Sequence, residues 1–316
     1  MKHTTHIAVI GAGVVGAATG KGLASLGHTV TFCDIDESKL AALHAGGYDA
    51  CPTRELAERH VDVVLLIIAT PTVDKRIKTD YLMAGVKDVA EAVLATATKR
   101  VTVAVRSTVL PGTTEHLVIP ELERVSGKRA GRDFGVCMNP EFLRAESPEK
   151  DFMHPKGIII GAIDEASAAA LTAMYEPLKA PIHVCTPREA ELAKYCCNIF
   201  DACKIAFFNE MRTVGDAADI DADRVFPLVR EMCEACWNPG YGLRDMGPFD
   251  GMCFPKDTKA FLSWGKEELK LPMDILGAML TENEEMTAYF PFRHKLAKAR
   301  MALERTWTSI FRPQQQ

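Results

Sequence analysis

Short apolar runs alternate with stretches of helical spacing through the first half of the chain. Ile7–Ile10, Thr29–Cys33, Val63–Ile68, Val101–Val105, Gly135–Met138 and Gly157–Ile160 are brief and mostly rich in β-branched residues, which predicts buried strands. Between them Val14–Leu26, Ser38–Ala45, Tyr81–Ala97 and Thr113–Val125 repeat apolar residues every three or four positions and predict helices. Strands joined by helical crossovers of this length predict an α/β fold with a doubly wound, Rossmann-type parallel sheet. Its ligands are expected beyond the C-terminal ends of the strands.

The pattern changes near Pro187. Arg188 to Ala218 contains no proline and one glycine, so it predicts one long helix. Shorter helices are expected over Ala222–Ala235, Pro255–Lys266 and Met273–Thr287, with a Gly/Pro-rich loop from Trp237 to Phe254. The expected layout is a dinucleotide-binding domain over 1–186, an all-helical domain over 187–290 and a helical tail over 291–316. The helix over 188–218 is apolar on more than one face, more than two layers would bury, which predicts the core of a homodimer.

Composition narrows the function classes. The chain has 316 residues, 47% hydrophobic and 25% charged, the balance of a soluble globular protein of two domains. A net charge of −5 offers no field for nucleic acid or an anionic membrane, so neither is expected as a partner. Met1-Lys2-His3-Thr4-Thr5-His6 runs straight into a strand pattern, without the apolar h-region and cleavage site expected of a signal peptide, and the run from Val61 to Ala69 is too short to span a bilayer. Ten cysteines without a secretion signal fit reduced thiols and a cytoplasmic location. Cys233 and Cys236 are separated by two residues, but no second pair completes a zinc set, so no metal is expected.

Gly11-Ala12-Gly13-Val14-Val15-Gly16 follows the first strand and opens a helix. The first glycine permits the turn, the second lets backbone approach a pyrophosphate, and the third lets helix and strand pack closely. Asp34 ends the second strand about 20 residues on, where a carboxylate binds ribose hydroxyls and repels a 2′-phosphate; the expected cofactor is NAD.

Other residues carry reaction chemistry. Cys253 closes the Gly/Pro-rich loop immediately before a predicted helix, and a helix N-terminus favours a thiolate. Lys194 and Asn198, four apart, share a helix face from which a cation and an amide can hold an oxyanion. Asp257 follows Cys253 by four and is placed to handle a proton or a water. Each has a structural alternative: a core thiol, a solvated lysine, a bridging amide, a first-turn carboxylate.

Four segments, Arg106–Thr114, Asn139–Arg144, Ala190–Asn198 and Gly251–Asp257, resemble in order and spacing the UDP-glucose/GDP-mannose dehydrogenase family, over roughly residues 5 to 287. The resemblance implies NAD-dependent oxidation of a primary alcohol to an aldehyde and then, through a cysteine thioester, to a carboxylate. It implies that Cys253 is the nucleophile, that Lys194 and Asn198 stabilise the oxyanion, and that Asp257, Thr108 and Glu141 position water and move protons. Thr70, Pro71 and Thr108 join Gly11, Gly13, Val14, Val15, Gly16 and Asp34 as expected cofactor contacts. The family's long central helix forms its dimer core, in line with the homodimer expected above.

Three departures stand out. The family continues into a further nucleotide-binding-like domain, where here only a short helical tail is expected. Ala145 stands where the family has a second glutamate, with Glu146 displaced by one. Leu243 to Phe249 look inserted, with Asp250 and Met252 at positions that are glycine and serine in the family, and Arg244 is a candidate anion contact. The expected substrate is therefore an alcohol smaller than a nucleotide sugar or lacking its diphosphate, such as a sugar phosphate. Two other readings are open: a two-electron dehydrogenase stopping at aldehyde or ketone, and a non-catalytic NAD-binding subunit completed by a partner.

Overall fold

The structure is a computed structural model that describes residues 4–244 and 247–289; the expected tail over 291–316 lies outside the described residues. The chain divides into two compact units, one running to Ile199 and one from Phe200.

In the first unit, β1 (His6–Ile10), β2 (Thr29–Cys33), β3 (Asp49–Cys51), β4 (Val63–Leu66), β7 (Thr102–Val105), β8 (Gly135–Met138), β9 (Ile158–Ala162) and β10 (Ile182–Cys185) form an eight-stranded sheet in the order β10-β9-β8-β7-β4-β1-β2-β3. A separate hairpin pairs β5 (Thr72–Val73) with β6 (Arg76–Ile77). The expectation of a purely parallel sheet needs one correction, because β8 and β9 run antiparallel. Besides the two strands of the hairpin, two short strands of the sheet escaped the sequence pattern. β3 has three residues, and β10 lies at an edge with its middle residues exposed, so neither shows an apolar run.

The central strands are apolar throughout because both sheet faces are covered. All four residues of β4 are buried, and they alternate between two cores. Val64 and Leu66 join Val103, Val105, Leu82, Val86 and Leu122 on one side. Val63 and Leu65 join Ala104, Leu23, Leu171 and Met174 on the other. Each of these Val, Leu and Met side chains contributes on the order of 1.5–3 kcal/mol. The covering helices are α1 (Val14–Ser25), α2 (Glu37–Ala45), α3 (Asp80–Val89), α4 (Ile119–Ser126), α5 (Pro148–Met153) and α6 (Glu165–Tyr175). Asp36 and Asp164 cap α2 and α6 by accepting backbone N–H groups. The helix expected over Thr113–Val125 starts with a widened turn at Thr114–Val118 and becomes regular where Pro120 enters α4.

The antiparallel junction fixes where the next helix starts. β8 and β9 share two residue pairs, Cys137 with Ala162 and Met138 with Gly161, and β10 lies parallel to β9 with Cys185 beside Gly161. The C-terminal ends of β8, β9 and β10 therefore meet, and α7 (Pro187–Ala217) rises from that point. Gly161 makes room for it: a Cβ there would lie 2.7 Å from Ala190 Cβ and 2.8 Å from Pro187 Cα.

The second unit holds the later turns of α7, α8 (Ala222–Met232), α9 (Glu234–Trp237), α10 (Phe254–Glu267) and α11 over 274–289. The single helix expected over Ala222–Ala235 breaks at Cys233, whose extended backbone caps α9. A small core of Val214, Met273 and Leu276 is backed by Met211, Leu262, Leu269 and Leu271. Glu210 of α7 accepts the N–H groups of Ile275 and Leu276 at 2.8 and 3.0 Å, capping the first turn of α11. No described helix is long and apolar enough to cross a membrane.

Candidate active site

The glycine turn connects β1 to α1, and its three glycines do different work. Gly11 has φ of +99°, and a Cβ there would lie 2.2 Å from the Ile67 carbonyl oxygen. A Cβ on Gly16 would lie 1.9 Å from the Gly11 carbonyl oxygen, so the third glycine is set by packing. Gly13 faces open space, with nothing within 4 Å of a Cβ. It is also the N-cap of α1 and offers no side-chain hydrogen bond, leaving the helix N-terminus free for an anion. Val14 is 68% exposed beside it.

Asp34 ties this turn to β2. Its Oδ2 accepts the Ala12 N–H at 2.8 Å, its Oδ1 accepts the Asp36 N–H at 3.0 Å, and Lys39 Nζ lies 3.2 Å from Oδ2. A carboxylate has capacity beyond these three bonds, so a hydroxyl can still be accepted. The loops after β4 and β7 are stitched together at the same sheet edge. Thr70 Oγ1 donates to the Thr108 carbonyl at 2.7 Å, and Ser107 Oγ donates to the Ile68 carbonyl at 2.7 Å while accepting the Ile68 N–H at 2.9 Å. Pro71 follows, exposed, and leads into the hairpin.

Beyond β8 lies a charged pair. Lys194 Nζ is 3.1 Å from Glu141 Oε1 and stands over the Phe142 ring, 5.1 Å from its centre. Lys194 is 5% exposed although lysines usually reach solvent, and Glu141 Oε2 also accepts the Leu143 N–H at 2.7 Å. Removing either partner would leave the other charge buried alone. Asn198, one turn further along α7, is exposed. In the second unit Cys253 is the exposed N-cap residue of α10, and Asp257 donates its N–H to the Cys253 carbonyl at 2.8 Å, one turn on. Asp257 also pairs with Lys256 at 2.5 Å.

Sequence reasoning passed over three positions. Glu191, one turn before Lys194, is fully buried and accepts two backbone N–H groups, from Gly112 at 2.5 Å and Thr114 at 2.8 Å. Its helix face, shared with Arg188 and Lys194, carries no apolar stripe that would have marked it as buried. Lys39 was hidden because its spacing from Asp34 crosses a turn. Arg106 directly follows β7 and is 6% exposed, with Nη1 donating to Asn139 Oδ1 at 2.8 Å. Tyr175 donates to the same oxygen at 2.6 Å, and burial pushes its phenol up, keeping it a donor at neutral pH. This network anchors the Asn139-Pro140-Glu141 turn. Among the described residues no group of three or more His, Cys, Asp or Glu gathers as a metal would require.

The NAD-binding domain model of the UDP-glucose/GDP-mannose dehydrogenase family matches residues 5–51 and 53–179, and the family's central-domain model matches 188–285. The chain belongs to this family. It is 34% identical over 305 residues to GDP-mannose 6-dehydrogenase of Pseudomonas putida, covering 88% of this chain and 68% of that one. A crystal structure of a ternary complex of GDP-mannose dehydrogenase from Pseudomonas aeruginosa matches with a TM-score of 0.83 at 30% identity, over 89% of this chain and 68% of that one. A UDP-glucose dehydrogenase from the archaeon Pyrobaculum islandicum matches with a TM-score of 0.68 at 34% identity, over 95% and 72%. Family membership makes the chain an NAD-dependent dehydrogenase acting on a CH–OH donor.

Proposed function

We propose that the chain oxidises the primary hydroxyl of a phosphate- or nucleotide-borne sugar to a carboxylate, in two oxidations at one carbon. The observation that carries this is the buried Lys194–Glu141 pair at the ligand edge of the sheet, in a chain matched by both family domains. The open face at Gly13 and the free N-terminus of α1 suit a pyrophosphate, so the residues present fit the cofactor. Bound NAD supplies the hydride acceptor, twice per substrate.

The ammonium of Lys194 stabilises the alkoxide as the hydroxyl loses its proton, with Asn198 as a second donor. Glu141 and Asp257 accept and return protons, and Thr108 orients the water. Cys253 adds its sulfur to the aldehyde carbon; loss of the second hydride leaves a thioester, and water then releases the acid and regenerates the thiol. Two copies pair through α7, where Leu192, Ile199, Phe200 and Ile205 are each more than half exposed in the single chain. Arg244, an exposed residue between α9 and α10, contacts the substrate's phosphate.

NADH formation across GDP-mannose, UDP-glucose and simple sugar phosphates tests the reading. Two NADH per substrate are expected, and Cys253→Ser should halt at the aldehyde. A yield of one NADH that is indifferent to Cys253→Ser would establish the two-electron alternative, which the exposed Ala145 at the second-glutamate position favours. Sedimentation of a monomer at micromolar concentration would refute the pairing.

A further inference from the structure

We infer that Glu191 is a positioning residue that locks the Thr108 loop to the helix carrying Lys194. The inference rests on the function proposed above and adds to it a residue with no direct part in the chemistry. Glu191 is fully buried, where a carboxylate without partners would be strongly disfavoured. Both its oxygens are used: Oε2 accepts the Gly112 N–H at 2.5 Å and Oε1 the Thr114 N–H at 2.8 Å. These amides belong to the first turns after Leu110-Pro111, and Gly112 has φ of +95°, in the left-handed region that favours glycine. Charge-assisted bonds to two amides, one on each oxygen, define a fixed orientation rather than a loose contact.

The tie joins the two halves of the site within the first unit. On one side Thr108 lies four residues before Gly112, with its carbonyl held by Thr70. On the other, Lys194 lies one turn after Glu191 on the same helix, paired with Glu141. One turn before Glu191, Arg188 pairs with Glu115 and contacts His116 Nε2 at 2.6 Å. Arg188 and Glu191 thus grip the Gly112–His116 turn from the same helix. Movement of this turn relative to α7 would shift the Thr108 loop relative to the helix that carries Lys194.

Glu191→Gln separates positioning from packing, because glutamine fills the same volume but has one acceptor oxygen, and its amide N–H₂ meets the second backbone donor without bonding. Turnover would be measured with GDP-mannose as probe, alongside thermal midpoint and amide hydrogen exchange across 108–116. The expected result is a kcat lowered about tenfold or more, with KM for NAD within about threefold, as misplacement of a catalytic group predicts. Faster exchange at Gly112 or Thr114 should accompany it while the midpoint stays near that of the parent chain. A kcat within twofold of the parent, or kcat and midpoint falling together with unchanged exchange, would overturn the inference. Should Glu191→Gln not fold, Glu191→Asp, which keeps the charge and shortens the reach, is read by the same criteria. If the parent chain turns over no member of the panel, the proposed function fails; exchange at Gly112 and Thr114 then decides the Glu191 tie alone, unchanged exchange overturning it.

Discussion

The two units bury their apolar residues very differently. The sheet unit has a closed core on each face, with Phe134, Leu65, Leu66 and Leu82 fully covered. The unit from Phe200 onward covers few described residues, among them Val214, Met273 and Leu276, while Phe200, Ile205, Leu228, Met232 and Trp237 are more than half exposed. A sheet that is walled by helices completes its own core. A fan of helices around one long helix does so only when another surface covers its outer faces, and this is why the pairing of two copies was proposed for α7.

The sharpest contrast concerns thiol chemistry. Cys33, Cys51 and Cys137 are buried in the sheet, whereas Cys196, Cys197, Cys203, Cys233 and Cys253 are exposed along the helices. Burial pushes the Cys137 thiol up to about 12, so it is also chemically quiet. Alkylation followed by mass spectrometry should find the sheet thiols slower by roughly three to six orders of magnitude, the range set by global opening. Rapid labelling of Cys137 in the native protein would break the comparison. Pairing through α7 should also slow Cys196, Cys197 and Cys203 as protein concentration rises.

Stability should divide along the same line. Phe134→Ala empties a fully covered position and is expected to lower stability by about 3–5 kcal/mol. Leu228→Ala, at a 62% exposed position, should stay within about 0.5 kcal/mol in the unpaired chain. Denaturant unfolding monitored by circular dichroism separates the two; equal losses would show that the helical unit hides a core of its own.

The smallest effect concerns acid. Burial of Asp164 opposes its ionisation, but the Ser167 N–H and hydroxyl and the Arg100 guanidinium outweigh it and hold the carboxyl below its usual range. A depressed carboxyl stabilises the fold above its unfolded value, and this contribution is lost as pH falls through the folded one. Asp164→Asn should therefore lower the thermal midpoint at neutral pH and narrow the gap to the parent chain in acid. A gap that widens in acid would reverse the assignment.

Much of this was legible in the sequence because it depends on local pattern. Thr29–Cys33 and Gly135–Met138 were predicted to the residue, since buried strands are short, apolar and β-branched. The glycine turn and Asp34 were legible because Gly11 and Gly16 meet distinct steric demands while Gly13 leaves the turn open to a ligand. What escaped was set by tertiary pairing. The antiparallel direction of β9 cannot be seen in its own residues, and β10 pairs as an edge strand without an apolar face. The role of Glu191 depends on two amides nearly eighty positions earlier in the chain, a contact no periodicity encodes. Lys194 and Glu141 were each named from motifs, but their meeting at 3.1 Å required the strand ends to converge.

That convergence passes through a residue with no side chain. Since the backbone of α7 sits directly on Gly161, a single added methyl at that point must push the helix off the sheet or tilt it. Lys194 is one turn beyond Ala190, which packs on Gly161, so the tilt would carry its ammonium away from Glu141 without altering either charged group. The spacing of the Lys194–Glu141 pair is thus governed from beneath by a hydrogen atom, and under the proposed function a substitution that touches no reacting atom would silence the oxidation as thoroughly as removing the lysine.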